Sequence, residues 1–358
     1  MHRERLARLL EDRGYDECWL ARPPNFAWLA RGDNRVDRHA EMGVAAAGFD
    51  GTTLTVLTDT IEADRLRAEE LPGNPTVETV PWYEATLPEA IAARASGDVL
   101  ADVDVPGADR FDASELRQPL TDDDVATYRE LGREAAVALE STCREFDPTT
   151  TEREAAAAIT AALARRGIDA PVVLVGGERR AALHRHYTPA EEPLEGYVLC
   201  SVTAYRDGLY ASLTRTVAFD PPEWLAERHR AAARVEATAL AATRRVGRAG
   251  GTAGDVFDAI RRAYRECGHP GEWREHHQGG AAGYAGREWF ATPDGDEAVW
   301  LPMGYAWNPT VQGTKSEDTH LVSDGDLEAL TTTGAWPTER VEPVGDGPAL
   351  ERPVPLGR

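Results

Sequence analysis

Two helix-forming runs followed by strand-forming segments occur twice in the C-terminal part of this chain, and no other feature narrows its fold as far. Thr121 with Asp124 forms an N-cap signal ahead of "DDDVATYRELGREAAVALESTCREF". Thr151 with Glu154 does the same ahead of "EREAAAAITAALARR", which Gly167 ends. Strand-like segments follow. The order then repeats: "EWLAERHRAAARVEATALAATRRV" stops at Gly247, "AGDVFDAIRRAYREC" stops at Gly268, and further strand-like sequence comes after. Helix, helix, strands, twice over, predicts a pseudo-symmetric α+β domain whose sheet is shared by both halves. The halves share an order of elements rather than evident sequence identity.

Residues 1–115 read differently. "RLARLLEDRGYD" has helical spacing and stops near Gly14, "ECWLARP" and "TTLTVLTD" have strand character, and "IEADRLRAEEL" is helical again. This alternation predicts a smaller α/β domain. "ADVDVPGADRFDASELRQPL" has loop composition and marks the boundary. The second domain is expected over 116–345, with 346–358 as a tail. "GRAGGTAGD" lacks a leading strand and a following Gly-Lys-Ser/Thr, so it reads as an interhelical turn rather than a phosphate loop.

The charge balance restricts partners. Against 39 Lys and Arg stand 61 Asp and Glu, a net charge of −22, which disfavours nucleic acid and anionic membranes. Lys315 is the only lysine. An acidic, lysine-poor chain suits a salt-rich cytoplasm, where screening weakens self-repulsion. The four cysteines (Cys18, Cys143, Cys200 and Cys267) are scattered, as expected in a reducing compartment. "MHRERLARLLEDRGYDECWL" has no apolar signal-peptide core, and no apolar run reaches spanning length. A cytoplasmic protein is expected.

"LCSVTAYRDGLYASLTRT", residues 199–216, reads as a β-hairpin turning at Asp207-Gly208. Together with "RPPNFAWLARG", "LHRHYTP", "EHHQGGAAGYAGRE" and "AWNPTVQGTKSEDTHLV", in that order along the chain, it resembles the pita-bread superfamily of methionine aminopeptidases, Xaa-Pro peptidases (prolidase, aminopeptidase P) and creatinase. The resemblance covers nearly the whole chain. It implies a creatinase/prolidase-like N-terminal domain and a pita-bread C-terminal domain.

The resemblance also locates the site. Metal-dependent members hold two divalent ions with two Asp, one His and two Glu, because two adjacent hard cations need several carboxylates. Here the hairpin positions fall on Ser201 and Ser212, the histidine on His276 with Gly279 following, the first glutamate on Asn308 and the last on Glu317. Three carboxylates have become neutral, and neutral Ser and Asn bind divalent ions weakly. No cofactor is therefore expected; a single ion on His276, Glu317 and His186 is the less favoured alternative. Creatinase hydrolyses a C–N bond through a histidine, and His186 in "RHYTP" falls on that position.

The expected catalytic set is His186, Glu317 and His276, with Glu317 orienting His186 or a water. Ser201, Ser212, Asn308, Lys315, Tyr284, Arg287 and His277 are the expected ligand-binding residues, Tyr284 and Arg287 at the rim. An Arg287–Glu288 structural pair is an equal alternative for "GYAGRE". Neither serine has a nucleophile-elbow context, and alternation points Cys200 away from the face of Ser201. The resemblance thus implies a metal-independent hydrolase of a small polar amide, guanidino or amino-acid-like substrate. The alternatives are an atypical Xaa-Pro metallopeptidase and a non-catalytic ligand-binding or scaffold protein.

The superfamily's usual assembly and the "PPNFAWLARGDNRVD" loop imply a homodimer. Light scattering in high salt, which screens the −22 charge, should give the mass of two 39.0 kDa chains; a monomer under those conditions contradicts the expectation.

Overall fold

The computed structural model describes residues 1–358, which divide into two compact units, Met1–Gln118 and Pro119–Arg358. The boundary lies three residues beyond the expected one. No helix is long and apolar enough to cross a membrane.

The first unit runs α1 (His2–Arg13), β1 (Glu17–Leu20), α2 (Pro23–Ala30), β2 (Ala45–Phe49), β3 (Leu54–Asp59), a short α3 (Ala63–Arg65), β4 (Thr76–Val80), α4 (Leu87–Arg94), β5 (Val99–Ala101) and β6 (Asp109–Arg110). Its strands form one mixed sheet in the order β4-β3-β2-β1-β5-β6. Gly14 ends α1 at φ 74°, a left-handed conformation that glycine reaches without a Cβ clash. Trp19, Ala46, Leu57, Ile91 and Ala101 make the core. Asp102, expected in a loop, is buried beside that core. It accepts hydrogen bonds from the Ala21 and Arg22 amides and from Asn25 Nδ2.

The second unit opens with α5 (Asp122–Cys143) and α6 (Glu152–Ala164). Both start at the threonines expected: Thr121 and Thr151 each accept from the N3 amide while Asp124 and Glu154 reach back. Then come β7 (Asp169–Gly177), α7 (Glu178–Leu183), β8 (Tyr197–Arg206) and β9 (Leu209–Ala218). The second half repeats the plan with α8 (Leu225–Arg248), α9 (Ala253–Glu266), β10 (Gly279–Ala282), β11 (Met303–Trp307), β12 (Thr310–Val311), β13 (Thr314–Lys315), β14 (Asp318–Val322) and β15 (Leu327–Ala329). The "GRAGGTAGD" stretch is the α8–α9 turn.

The expected shared sheet is realised as two four-stranded sheets that meet. β7, β8 and β9 belong to one and β10, β11, β14 and β15 to the other. They join where the Thr214 amide donates to Glu317 O (2.9 Å) and the Ser212 amide donates to Thr319 Oγ1 (2.8 Å).

The expected tail is not a tail. β16 (Thr338–Val341) pairs with β17 (Leu350–Pro353), and β18 (Leu356–Gly357) adds to β9 in parallel. Arg352 on β17 is fully buried. It donates to Glu236 Oε1 (2.6 Å) and Asp318 Oδ2 (2.9 Å), and contacts His320 Nε2 at 3.2 Å. Arg215 on β9, also fully buried, reaches Glu140 Oε1 (2.9 Å) and Asp318 Oδ1 (3.0 Å). Burial pushes the Glu236 carboxyl up to about 7 against the pull of Arg352. Burial also pushes Asp318 up, but Arg215 and Arg352 together hold it below the usual carboxylate range.

Arg352→Met leaves Glu236 and Asp318 buried without their shared cation. Breaking one side of a buried ion pair costs about 3–5 kcal/mol. Denaturant titration of the full chain in high salt should show a loss of that order, and an unchanged midpoint would show that the Arg352 ion pairs add nothing net to stability.

Candidate functional site

The β8–β9 hairpin sets the back wall of the site. Its two-residue turn, Asp207 at φ 54° and Gly208 at φ 82°, places Ser201 opposite Thr214 and Thr203 opposite Ser212. With a side-chain period of two, all four hydroxyls share one face. Cys200 turns to the other face, against Cys143 of α5, as alternation predicts.

The remaining groups come from the second half. Glu317 precedes β14, and Lys315 ends β13, two residues earlier on the same side of an extended backbone. Asn308 follows β11. His276 and His277 lie just ahead of β10, where Gly279 adopts φ 91° and a Cβ would stand 2.1 Å from Ala306 O. Only glycine lets the histidine pair enter the sheet there. His186 sits on the loop after α7.

These elements enclose a pocket of about 480 Å³ lined by His186, Ser201, His277, Arg287, Asn308, Lys315 and Glu317. Its upper wall is apolar, with Val172, Leu174 and Phe290. Lys315, Glu317 and Asn308 are buried at the base, whereas His186 and His277 lie at the mouth.

The base is an ionic and hydroxyl network. Arg287 Nη2 donates to Glu317 Oε1 (3.0 Å), and Lys315 Nζ stands 3.8 Å from Oε2. Thr214 Oγ1 donates to the same Oε2 (2.8 Å). With its one proton committed, Thr214 accepts from Ser201 (2.7 Å), which in turn accepts from Tyr187 OH (3.2 Å). Arg287 Nη1 donates to Ser212 Oγ (3.1 Å), which is paired with Thr203 Oγ1 (3.0 Å). Burial pulls the Lys315 ammonium below the ordinary lysine range, with Glu317 pulling it back up.

The mouth is a histidine cluster. His186 Nε2 lies 3.1 Å from His276 Nε2, and the His276 and His277 rings are 4.1 Å apart. Burial lowers all three pKa values, most strongly that of His276. His277 falls to about 4, and Lys315 adds to the lowering of His186. All three rings are neutral at pH 7.

Seven of the ten expected residues thus line one pocket, and three stand elsewhere. His276 lies beneath His186 and faces a neighbouring cleft. Ser212 stands behind Arg287. Tyr284, expected at the rim, is buried, and its hydroxyl donates to Asp124 Oδ1 (2.6 Å) at the start of α5; the residue secures a helix end. The expected role of Glu317 also changes. Its oxygens are taken by Thr214, Arg287 and Lys315 rather than by His186, so it is the counter-ion of two cations. Arg287 pairs with it rather than with Glu288. Sequence reading missed Thr203 and Tyr187, although alternation from Ser201 marks the first and adjacency to His186 the second.

This donor set does not fit two divalent ions. Such a centre needs bridging carboxylates, and the single carboxylate at the base is already neutralised by a guanidinium and an ammonium. Of groups able to hold one ion, the structure offers His186, His276 and His277, whose ligand nitrogens lie within 4.8 Å of one another.

Residues 126–297 match the model of metallopeptidase family M24. No curated protein matches the chain. Among solved structures, the prolidase from Pyrococcus horikoshii OT3 superposes with a TM-score of 0.75 at 16% identity, covering 93% of this chain and 98% of its own. A dipeptidase from the same organism gives 0.74 at 21%, again over 93% and 98%. The N-terminal domain of the FACT complex subunit SPT16 from Cicer arietinum (chickpea) gives 0.64 at 13%, over 93% and 96%. At these identities the superpositions establish the fold. They show the pita-bread fold with its N-terminal domain, and the family match supports it over residues 126–297.

Elemental analysis after manganese or cobalt loading should find well under two ions per chain. Stoichiometric uptake of two would show that the base can shed its internal cations.

Proposed function

We propose that the protein hydrolyses a C–N bond in a small polar substrate without divalent metal, with His186 moving the proton. The observation that carries this reading is the neutralisation of Glu317 by Arg287 and Lys315 beneath a neutral histidine pair. Positive charge stands at the pocket base, on side chains rather than on ions.

In this reading His186 is the Nε2–H tautomer and donates to His276 Nε2, 3.1 Å away, which leaves the lone pair on His186 Nδ1. That nitrogen takes a proton from water as the water oxygen bonds to the substrate carbon. It returns the proton to the departing nitrogen as the C–N bond breaks. His276, too desolvated to hold a second proton, orients its neighbour without competing with it. Lys315 and Arg287 stabilise negative charge at the base. A homodimer in a salt-rich cytoplasm belongs to the same proposal.

The histidine cluster favours a second reading. His186, His276 and His277 could together hold one imidazole-preferring ion, and chelator-sensitive activity with one ion per chain would select it. The resemblance to a domain named for a complex it belongs to supports a third, non-catalytic reading.

The test is a screen of amides, dipeptides and guanidino compounds, with and without chelator, in molar salt. His186→Ala should lower kcat by about 10²–10⁴, the usual worth of general acid–base help, with the fold retained. Because the His186 pKa is lowered, its base form persists below pH 6.5. As pH drops from 8, kcat/KM should therefore fall only at more acidic pH than an ordinary histidine base would give. A variant with full kcat removes His186 from the mechanism. No turnover across the panel in either metal state makes the non-catalytic ligand-binding or scaffold reading the better one.

A further inference from the structure

We infer that the pocket is a carboxylate site: its ligand carries a carboxylate that lies on Lys315 and Arg287 at the base and an N–H group that meets Asn308. This inference rests on the same pocket as the proposed hydrolysis and names the class of compound that the pocket accepts.

Charge at the base is unbalanced. Two cationic side chains face one carboxylate, Glu317, and the three histidines above add no charge. Lys315 makes no contact closer than its 3.8 Å ion pair, so its donors remain available, although the residue is only 4% exposed. A buried ammonium with unused donors is costly unless an anion completes it. The imbalance also runs against the chain's composition, for the only lysine in a protein of net charge −22 stands here.

Two further atoms at the base lack partners. Arg287 Nε and Asn308 Oδ1 are both buried without a hydrogen-bonding group. The first is a donor and suits an anion, and the second is an acceptor and suits an N–H. A carboxylate with a nearby amine or amide N–H supplies both, as in an amino acid or an N-acylated amino acid. The walls above this end are apolar, with Val172, Leu174 and Phe290, so the rest of such a ligand extends toward the mouth. There its C–N bond comes under His186 and His277. About 480 Å³ holds a ligand of that size.

The test is calorimetric titration of the full chain, in molar salt, with N-acetylglycine and its neutral analogue N-acetylglycinamide. The acid should bind at least tenfold more tightly than the amide. Lys315→Met, shown folded by circular dichroism, should bring the two within twofold of each other, and Lys315→Arg should restore the preference. Equal affinity of acid and amide in the native protein, or binding of neither, overturns the inference, as does a preference that survives Lys315→Met. Binding is read without turnover, so an inactive protein that still prefers the acid refutes the hydrolase reading and leaves the carboxylate site standing.

Discussion

Asp318 sits between two buried arginines, and most of the second unit is arranged around that contact. Its Oδ1 takes Arg215 from β9 and its Oδ2 takes Arg352 from β17, while those arginines reach Glu140 on α5 and Glu236 on α8. A helix from each half, a strand from each half and the C-terminal strands are thereby tied to one charge cluster. The same strands carry the site. On β9, Thr214 faces the pocket and Arg215 the cluster. At the start of β14, Glu317 faces the pocket and Asp318 the cluster. Strand alternation lets consecutive residues serve a structural charge cluster and a ligand site without mixing them.

The pocket side of those strands balances buried charge with side chains alone. A dinuclear site balances positive ions with carboxylates. Here Ser201, Ser212 and Asn308 supply no charge, and two basic side chains face one carboxylate, Glu317. The hydroxyls close into a chain from Tyr187 through Ser201 and Thr214 to Glu317, which satisfies buried polar groups that would otherwise be costly. The base is thus organised from within.

Local chemistry was legible in the chain. Thr121 and Thr151 open their helices because capping is decided within four residues, and Asp207-Gly208 turns the hairpin because both positions need positive φ. Alternation alone places Cys200 away from Ser201. What the residues did not disclose depends on distant partners. "TERVEPVGDGPALERPVPLGR" is rich in proline and charge and lacks strand alternation; its strand state comes from pairing and from the burial of Arg352 against residues far earlier in the chain. Adjacency in sequence predicts a common rim for Tyr284 and Arg287. The structure separates them, one to Asp124 and the other to Glu317, because neither partner lies nearby in sequence.

The histidines and the basic pair are linked by charge rather than by hydrogen bonds. Burial lowers the pKa of each of the three rings, Lys315 adds to the lowering of each, and Arg287 adds to that of His277. Neutral rings at the mouth leave the positive charge concentrated at the base, so an anionic group entering the pocket meets a potential that strengthens with depth. Low dielectric makes that gradient steep, and salt screens it far less than it screens the acidic exterior. A protein with so much surface acid repels anions at long range in dilute buffer. High salt lifts that barrier while leaving the buried attraction largely intact, so salt acts on the surface and the pocket in opposite proportion.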